Sequence, residues 1–207
     1  MTDPLYDRLL ADIDRDAGPR GWLRTRSTRT RAVAMALTAL AVSGGFGLVK
    51  AGPERLSAHS TLYWVGVLSM VATLGFAMAA MFRPLYLPQW SGGARRLLVA
   101  GIGMASLASI AMTSDGSLGA LASSGRCLIV GAAIGAPIFG LALLLDRQPR
   151  RVGVFRALFS GLVGVLAVQL VCPAAGLVHL VVEHFGLALG STALFVGVGV
   201  ALERFAR

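Results

Sequence analysis

The sequence predicts an all-α, polytopic membrane protein with six transmembrane helices and a short cytoplasmic N-terminal amphipathic helix. Three observations lead to this prediction. The chain has six long apolar stretches, its positive charges fall on alternate connections between them, and 56% of its residues are hydrophobic while 14% are charged. A soluble domain of 207 residues would need far more polar surface to cover its core.

Six stretches after residue 31 are long enough to cross a bilayer, which takes about 20 mostly apolar residues. They are residues 32–49, 61–82, 97–113, 127–145, 154–172 and 185–202. The fifth stretch carries one charged residue, Arg156, close enough to its start for the side chain to reach the interface. We therefore expect residues 32–207 to form a six-helix transmembrane domain.

Glycine and proline inside these stretches predict how the helices pack. The small-xxx-small pairs Gly131–Gly135 and Gly186–Gly190 allow helix backbones to approach closely, most simply within one bundle. Pro137 removes one backbone hydrogen bond in the fourth helix and is expected to kink it.

The positive charges set the orientation in the membrane. Sixteen of the 19 Lys and Arg residues lie in the first 31 residues, in the second-to-third and fourth-to-fifth connections, or at the C-terminal end. Only Lys50, Arg55 and Arg126 lie on the other side. Since cationic loops stay in the cytoplasm, both termini are expected to be cytoplasmic. The net charge of +9 therefore reflects topology, and no direct nucleic-acid partner is expected.

Residues 1–31 form a cytoplasmic tail with one apolar stripe. Leu5, Leu9 and Ile13 recur at helical spacing, with Tyr6 and Leu10 beside them, and five aspartates surround them. A helix of this length is marginal alone but could dock in the groove of a partner. Its acidic polar face favours a basic protein surface over anionic lipid. A solvated tail without a partner is the alternative.

Both cysteines and all three histidines fall at or near the predicted outer face. They are His59, Cys127, Cys172, His179 and His184. One interpretation is a disulfide between Cys127 and Cys172 in an oxidising compartment. Another is a soft-metal site of Cys127, Cys172 and His179, suited to Cu(I) or Zn(II). In the third, the cysteines only fill space and the histidines form local hydrogen bonds.

The same region predicts no catalysis. Glu183 is the only outer-side acid beside a histidine, and it would share a helix face with His179 if that segment were helical. No nucleophile–base pair or carboxylate pair stands at a catalytic spacing, so we expect no enzyme and no catalytic residues. A small transporter or channel, or a structural subunit of a membrane complex, is the alternative. Span interiors with almost no ionisable residues argue against transport.

Short motifs add a resemblance to this architecture. They are Leu9-Leu10-Ala11-Asp12 in the tail, Arg126-Cys127 at the start of the fourth span, and Cys172-Pro173 at the end of the fifth, followed by His179 and His184. Together with the six-span plan, they make the whole chain similar to the NrsF-like and CarR-like family of membrane anti-sigma factors.

The resemblance implies a function for each end of the chain. The tail would hold an extracytoplasmic-function sigma factor at the bacterial inner membrane. Leu5, Leu9, Leu10 and Ile13 would fill its groove, and Asp12 with the other aspartates would face its basic surface. An outer-face stress signal, such as an oxidant or a metal, would act at Cys127, Cys172, His179 and His184 and release the sigma factor into transcription. The bilayer and the sigma factor are the partners implied, with no small-molecule substrate.

Overall fold

The computed structural model describes residues 26–82, 92–118, 125–145, 153–173 and 176–205. These residues form helices and short turns, with no strand among them. The helices are α1 (Thr28–Ser57), α2 (Thr61–Phe82), α3 (Gly92–Met112), α4 (Arg126–Leu145), α5 (Val154–Gln169) and α6 (residues 177–205). The all-α prediction is therefore confirmed for the described part, whereas the predicted tail helix lies outside it.

Four of the helices, α1, α2, α4 and α6, are long and apolar enough to cross a membrane. The other two contain shorter apolar segments, Arg96–Met112 in α3 and Val154–Gln169 in α5. Large apolar side chains such as Leu37, Leu68 and Ile129 are exposed on the outside of the bundle, as expected where helices contact lipid. Helix length and composition thus indicate a membrane protein with at least four candidate crossings in the described part.

Helix α5 occupies the centre of the bundle. Every residue from 156 to 169 is buried, and α5 contacts α1, α2, α4 and α6. At a rise of about 1.5 Å per residue it is about 24 Å long, somewhat shorter than the roughly 30 Å hydrocarbon core. Because its neighbours surround it, its polar residues face protein.

Hydrogen bonds between distant parts of the chain define the two ends of the bundle. At one end, the Tyr63 hydroxyl at the start of α2 donates to the Gln169 carbonyl at the end of α5, at 2.9 Å. At the other end, the Arg31 guanidinium near the start of α1 donates to the Leu145 carbonyl at the end of α4, at 2.6 Å. The side chains of Thr113, after α3, and of His184, near the start of α6, also meet Gln169 at the first end, so successive helices alternate in direction. We call these the cysteine end, which holds Cys127 and Cys172, and the Arg31 end.

Glycines bring α4 and α5 into backbone contact. A Cβ on Gly164 would lie 2.1 Å from the Gly131 carbonyl oxygen, and one on Gly135 would lie 2.7 Å from the Ser160 carbonyl oxygen. The first predicted glycine pair thus packs inside the bundle. The prediction of close packing at the second glycine pair is wrong. No described atom outside its own helix backbone comes within 4 Å of a Cβ placed on Gly186 or Gly190.

Several helix boundaries differ from the predicted spans. Helix α1 runs past Val49 to Ser57, with an interruption at Gly52, whose φ of 76° breaks the helix before Pro53. Helix α3 begins at Gly92, five residues earlier than predicted, and α4 continues through Pro137. Helix α5 ends at Gln169, so Cys172 follows the helix and does not belong to it.

The largest difference is at the start of α6. This helix begins at Leu177, eight residues before the predicted start, and consists of Leu177–His179, a π-helical segment Leu180–Phe185, and Gly186–Phe205. The predicted sixth span starts at residue 185, so His179, Glu183 and His184 precede it, in a segment that the sequence leaves open as helix or loop. The structure buries all three, so they belong to the interior face of a helix.

Candidate metal and thiol site

Four side chains, from two helices and from the segment after a third, converge at the cysteine end. Cys127 lies in the first turn of α4, Cys172 follows the end of α5, and His179 and His184 lie in the first turns of α6. One potential ligand atom from each lies within 4.8 Å of all the others. The two sulfur atoms are 3.8 Å apart and are not joined as a disulfide. The structure thus brings together four of the five Cys and His residues that the sequence singled out, and it adds His184 to the predicted metal group.

The start of α6 is held by the loop that follows α3. The backbone amide of Leu177 donates to the Ser117 carbonyl at 2.9 Å, and that of Val178 donates to the Leu118 carbonyl at 3.1 Å. These bonds satisfy two of the amides that have no partner within the first turn of a helix. They also carry His179 to Cys172, where its Nε2 lies 3.2 Å from the sulfur.

The π-helical segment brings the two histidines toward one side. At 3.6 residues per turn, residues five apart on an α-helix point about 140° away from each other. The wider turn at Leu180–Phe185 reduces this angle, and the His179 and His184 rings lie 5.5 Å apart, edge to face. Single π-helical turns are rare and are frequent at functional sites.

A chain of hydrogen bonds fixes the orientation of the His184 ring. The Thr113 hydroxyl donates to the Ile110 carbonyl at 2.6 Å, so its oxygen accepts from the Gln169 amide NH2. The Gln169 side-chain oxygen therefore points the other way, toward His184 Nδ1. Because that oxygen can only accept, Nδ1 carries the proton and Nε2 carries a lone pair.

Several buried polar atoms beside the cysteines have no hydrogen-bond partner among the described residues. They are His179 Nδ1, His184 Nε2 and both carboxylate oxygens of Glu183. Leaving such atoms unsatisfied costs about 1–3 kcal/mol each, and more for a charged group. Glu183 directly precedes His184 in α6 and is buried with it. A cation bound in this cluster would satisfy a ring nitrogen and offset the carboxylate.

The arrangement supports two kinds of chemistry. Zinc bonds of about 2.3 Å to sulfur and about 2.0–2.1 Å to nitrogen place tetrahedral ligand atoms about 3.3–3.8 Å apart. The observed 3.8 Å between sulfurs and 3.2 Å between sulfur and nitrogen are close to that range. Two thiols already in contact could also be joined by an oxidant. Metal binding and thiol oxidation are therefore both compatible with the site.

His59 does not join the cluster. Its ring stacks on Tyr63 with a centroid distance of 3.8 Å, between α1 and α2. Partial burial, together with the positive charge of Arg55, lowers the pKa of His59 below its usual value. It therefore supplies a histidine at the same end of the bundle but outside the site.

Some predicted residues are outside the described part of the chain, and some site residues were not predicted. The sigma-binding candidates Leu5, Leu9, Leu10, Asp12 and Ile13 belong to the first group. Thr113 and Tyr63 belong to the second, since nothing but their position near a span end distinguishes them.

Comparisons of the chain with protein-family models, with curated proteins and with solved structures found no match.

Proposed function

We propose that the protein is a membrane-bound anti-sigma factor. Residues 1–31 hold an extracytoplasmic-function sigma factor at the inner membrane, and six helices cross the bilayer with both termini in the cytoplasm. An event at the cysteine end, outside the cytoplasm, releases the sigma factor. The observation that carries this proposal is the convergence of Cys127, Cys172, His179 and His184 at one end of the bundle. The tail motifs and their resemblance to anti-sigma factors supply the partner.

The cluster is built in a way that suits a sensor. It joins the start of α4, the end of α5 and the start of α6. The two cysteines alone are 45 residues apart in the sequence. A bond formed or broken there changes how three helices are held together. Signalling across a membrane requires such a difference in contacts between two states.

Helix α4 connects the cluster with the beginning of the bundle. It carries Cys127 in its first turn, and the carbonyl of its last residue, Leu145, accepts the buried hydrogen bond from Arg31. Its 20 residues span about 30 Å. Arg31 is the last residue of the tail segment, so a displacement of α4 along the tightly packed α5 would reach the tail directly.

Successive helices run in opposite directions between the two ends of the bundle, and this supports six crossings. The apolar segments of α3 and α5 are shorter than the usual span, but each of these helices connects the same two ends as the other four. Helix α5 is also surrounded by protein, so its length and polarity need not match lipid. Crossing by all six helices keeps the cationic connections on one side.

The direct test is recovery of a sigma factor with the full-length protein. The chain is solubilised from membranes of its native host in mild detergent, and bound proteins are identified by mass spectrometry. We expect an extracytoplasmic-function sigma factor, which the Leu9→Asp variant loses because a charge enters the apolar stripe. The matched control, Ala11→Asp, places the same charge about 200° away on the predicted helix and should retain it.

Two outcomes would overturn the proposal. One is recovery of no sigma factor by the wild-type chain. The other is equal recovery by wild type and Leu9→Asp. Stable co-purification of another membrane protein in place of a sigma factor would instead favour a structural subunit of a membrane complex.

A further inference from the structure

We infer that Cys127, Cys172, His179 and His184 form a tetrahedral Cys2His2 site for a divalent ion of the zinc class. The inference deepens the proposed function, which does not name the signal. It rests on the proposed function in one respect only, namely that metal binding would control the release of the sigma factor. Binding of the ion can be measured without a sigma factor.

The first argument is that the ligand set is complete. Each of the four residues offers one ligand atom, and the largest separation among these atoms is 4.8 Å. Tetrahedral zinc needs separations of about 3.3–3.8 Å, so small side-chain movements close the site. No backbone rearrangement is needed, because α4, α5 and α6 already place the four residues around one point.

The second argument is that the histidines already present suitable atoms. The Gln169 side chain accepts from His184 Nδ1, which leaves the lone pair on the buried, unpartnered Nε2. His179 turns its Nε2 toward the Cys172 sulfur, 3.2 Å away. Metal-bound histidines usually donate their other ring N–H to an acceptor, as His184 does to Gln169, which fixes the ring and raises its basicity.

The third argument is charge. Two thiolates and two neutral imidazoles neutralise a divalent ion, and a buried site is least costly when its net charge is small. A monovalent ion such as Cu(I) would leave a net negative charge beside Glu183. Glu183 itself is only 2% exposed, and neither of its oxygens has a hydrogen-bond partner in the described ranges. The ion would supply a compensating positive charge near this carboxylate.

Binding at this site involves no oxidation or reduction. The two S–H bonds of Cys127 and Cys172 break, two sulfur–zinc bonds and two nitrogen–zinc bonds form, and two protons leave the thiols. Zinc remains divalent and both sulfurs remain thiolates. Joining the same sulfurs as a disulfide removes two of the four ligands, so an oxidant would expel the ion.

The test uses the purified full-length protein in detergent, reduced and freed of metal, with Zn(II) and the spectroscopic probe Co(II). We expect one ion per chain, thiolate-to-cobalt charge-transfer bands, and the intense visible bands of tetrahedral cobalt. His184→Gln and Cys172→Ser should each weaken Co(II) binding by at least about tenfold. The matched control is His59→Gln, which removes a histidine from the same end of the bundle and should leave binding unchanged.

A second measurement needs no variant and is independent of folding defects. In the wild-type chain, Zn(II) should protect both thiols from alkylation, and a chelator should restore their reactivity. The inference is overturned if wild type binds no Co(II) or Zn(II), or if the cobalt spectrum lacks thiolate bands. It is also overturned if His184→Gln binds as wild type does, or if the site takes Cu(I) but not Zn(II).

The outcomes distinguish this inference from the proposed function. A chain that binds zinc at these residues but recovers no sigma factor supports the metal site and contradicts the anti-sigma proposal. A chain that recovers a sigma factor but binds no zinc does the opposite.

Discussion

Gln169 illustrates how single residues at the cysteine end differ from the rest of the bundle. It is a buried amide at the end of α5, and its side-chain nitrogen and oxygen bond Thr113 and His184. A buried polar side chain is tolerated only when its hydrogen bonds are made. The role of Gln169 is therefore to hold the His184 ring in one orientation.

The sequence identifies the candidate site residues but not how they are arranged. Cys127, Cys172, His179 and His184 were identifiable because the chain has only two cysteines and three histidines, and all five fall at or near the predicted outer face. Thr113 was not identifiable, since its contact with Gln169 joins positions 56 residues apart. The tautomer of His184 follows from that contact, so it could be derived only from the folded chain.

The backbone contact between α4 and α5 yields a prediction for Gly164. The Gly164→Ala variant introduces a Cβ that would lie 2.1 Å from the Gly131 carbonyl oxygen, so the two helices must separate. We expect the free energy of unfolding in mixed detergent micelles to fall by about 1–3 kcal/mol. The matched control is Gly190→Ala, where a Cβ meets no described atom within 4 Å. It should change stability by less than about 1 kcal/mol, and an equal loss in both variants would contradict the close contact.

The bounds of the helices were predictable to different degrees. The bounds of α2 agree with the predicted span and those of α4 differ by one residue, because uninterrupted apolar runs end there at polar or glycine-containing connections. The start of α6 was missed for a physical reason. Pro173 and Gly176 indicate a break after the fifth span, and the apolar run without ionisable residues begins only at Phe185. His179, Glu183 and His184 precede that run but face the bundle interior. The π-helical turn leaves no simple pattern in the sequence.

Helix α4 also yields a prediction, since it links the cluster to Arg31. Arg31→Gln removes the guanidinium that donates to the Leu145 carbonyl, a charged hydrogen bond of the kind that contributes about 1.5–3 kcal/mol. We expect zinc-dependent induction of a sigma-factor reporter to fall by about tenfold or more, at an unchanged level of protein in the membrane. The control is Arg29→Gln, two residues earlier and exposed. An unchanged induction ratio in Arg31→Gln would exclude α4 as the connection.

For the molecule as a whole, the sequence predicted an all-helical membrane protein, and the described residues are all-helical. The number of crossings was harder to predict. A hydropathy profile judges each helix by its own residues as if it contacted lipid. The short central α5 contacts the other helices instead, so its own length and hydropathy do not decide whether it crosses. Charge distribution gives an orientation that no contact within the bundle can supply.

The two possible topologies predict opposite results for alkaline phosphatase fusions, which are active only outside the cytoplasm. With six crossings and a cytoplasmic N-terminus, a fusion after residue 118 is active and a fusion after residue 148 is inactive. If only α1, α2, α4 and α6 cross, both results are reversed. A fusion after residue 207 should be inactive in either case, and green fluorescent protein at the same positions should give the complementary pattern.

The central claim is that an outer thiol–imidazole cluster controls a sigma factor held on the other side of the membrane. The most direct measurement is the amount of sigma factor bound to the full-length protein in detergent, with and without Zn(II). We expect binding to the metal-free chain, release when zinc is added, and retention in Cys127→Ser/Cys172→Ser at the same zinc concentration. Sigma-factor binding that zinc leaves unchanged in wild type, or no binding at all, would contradict the account.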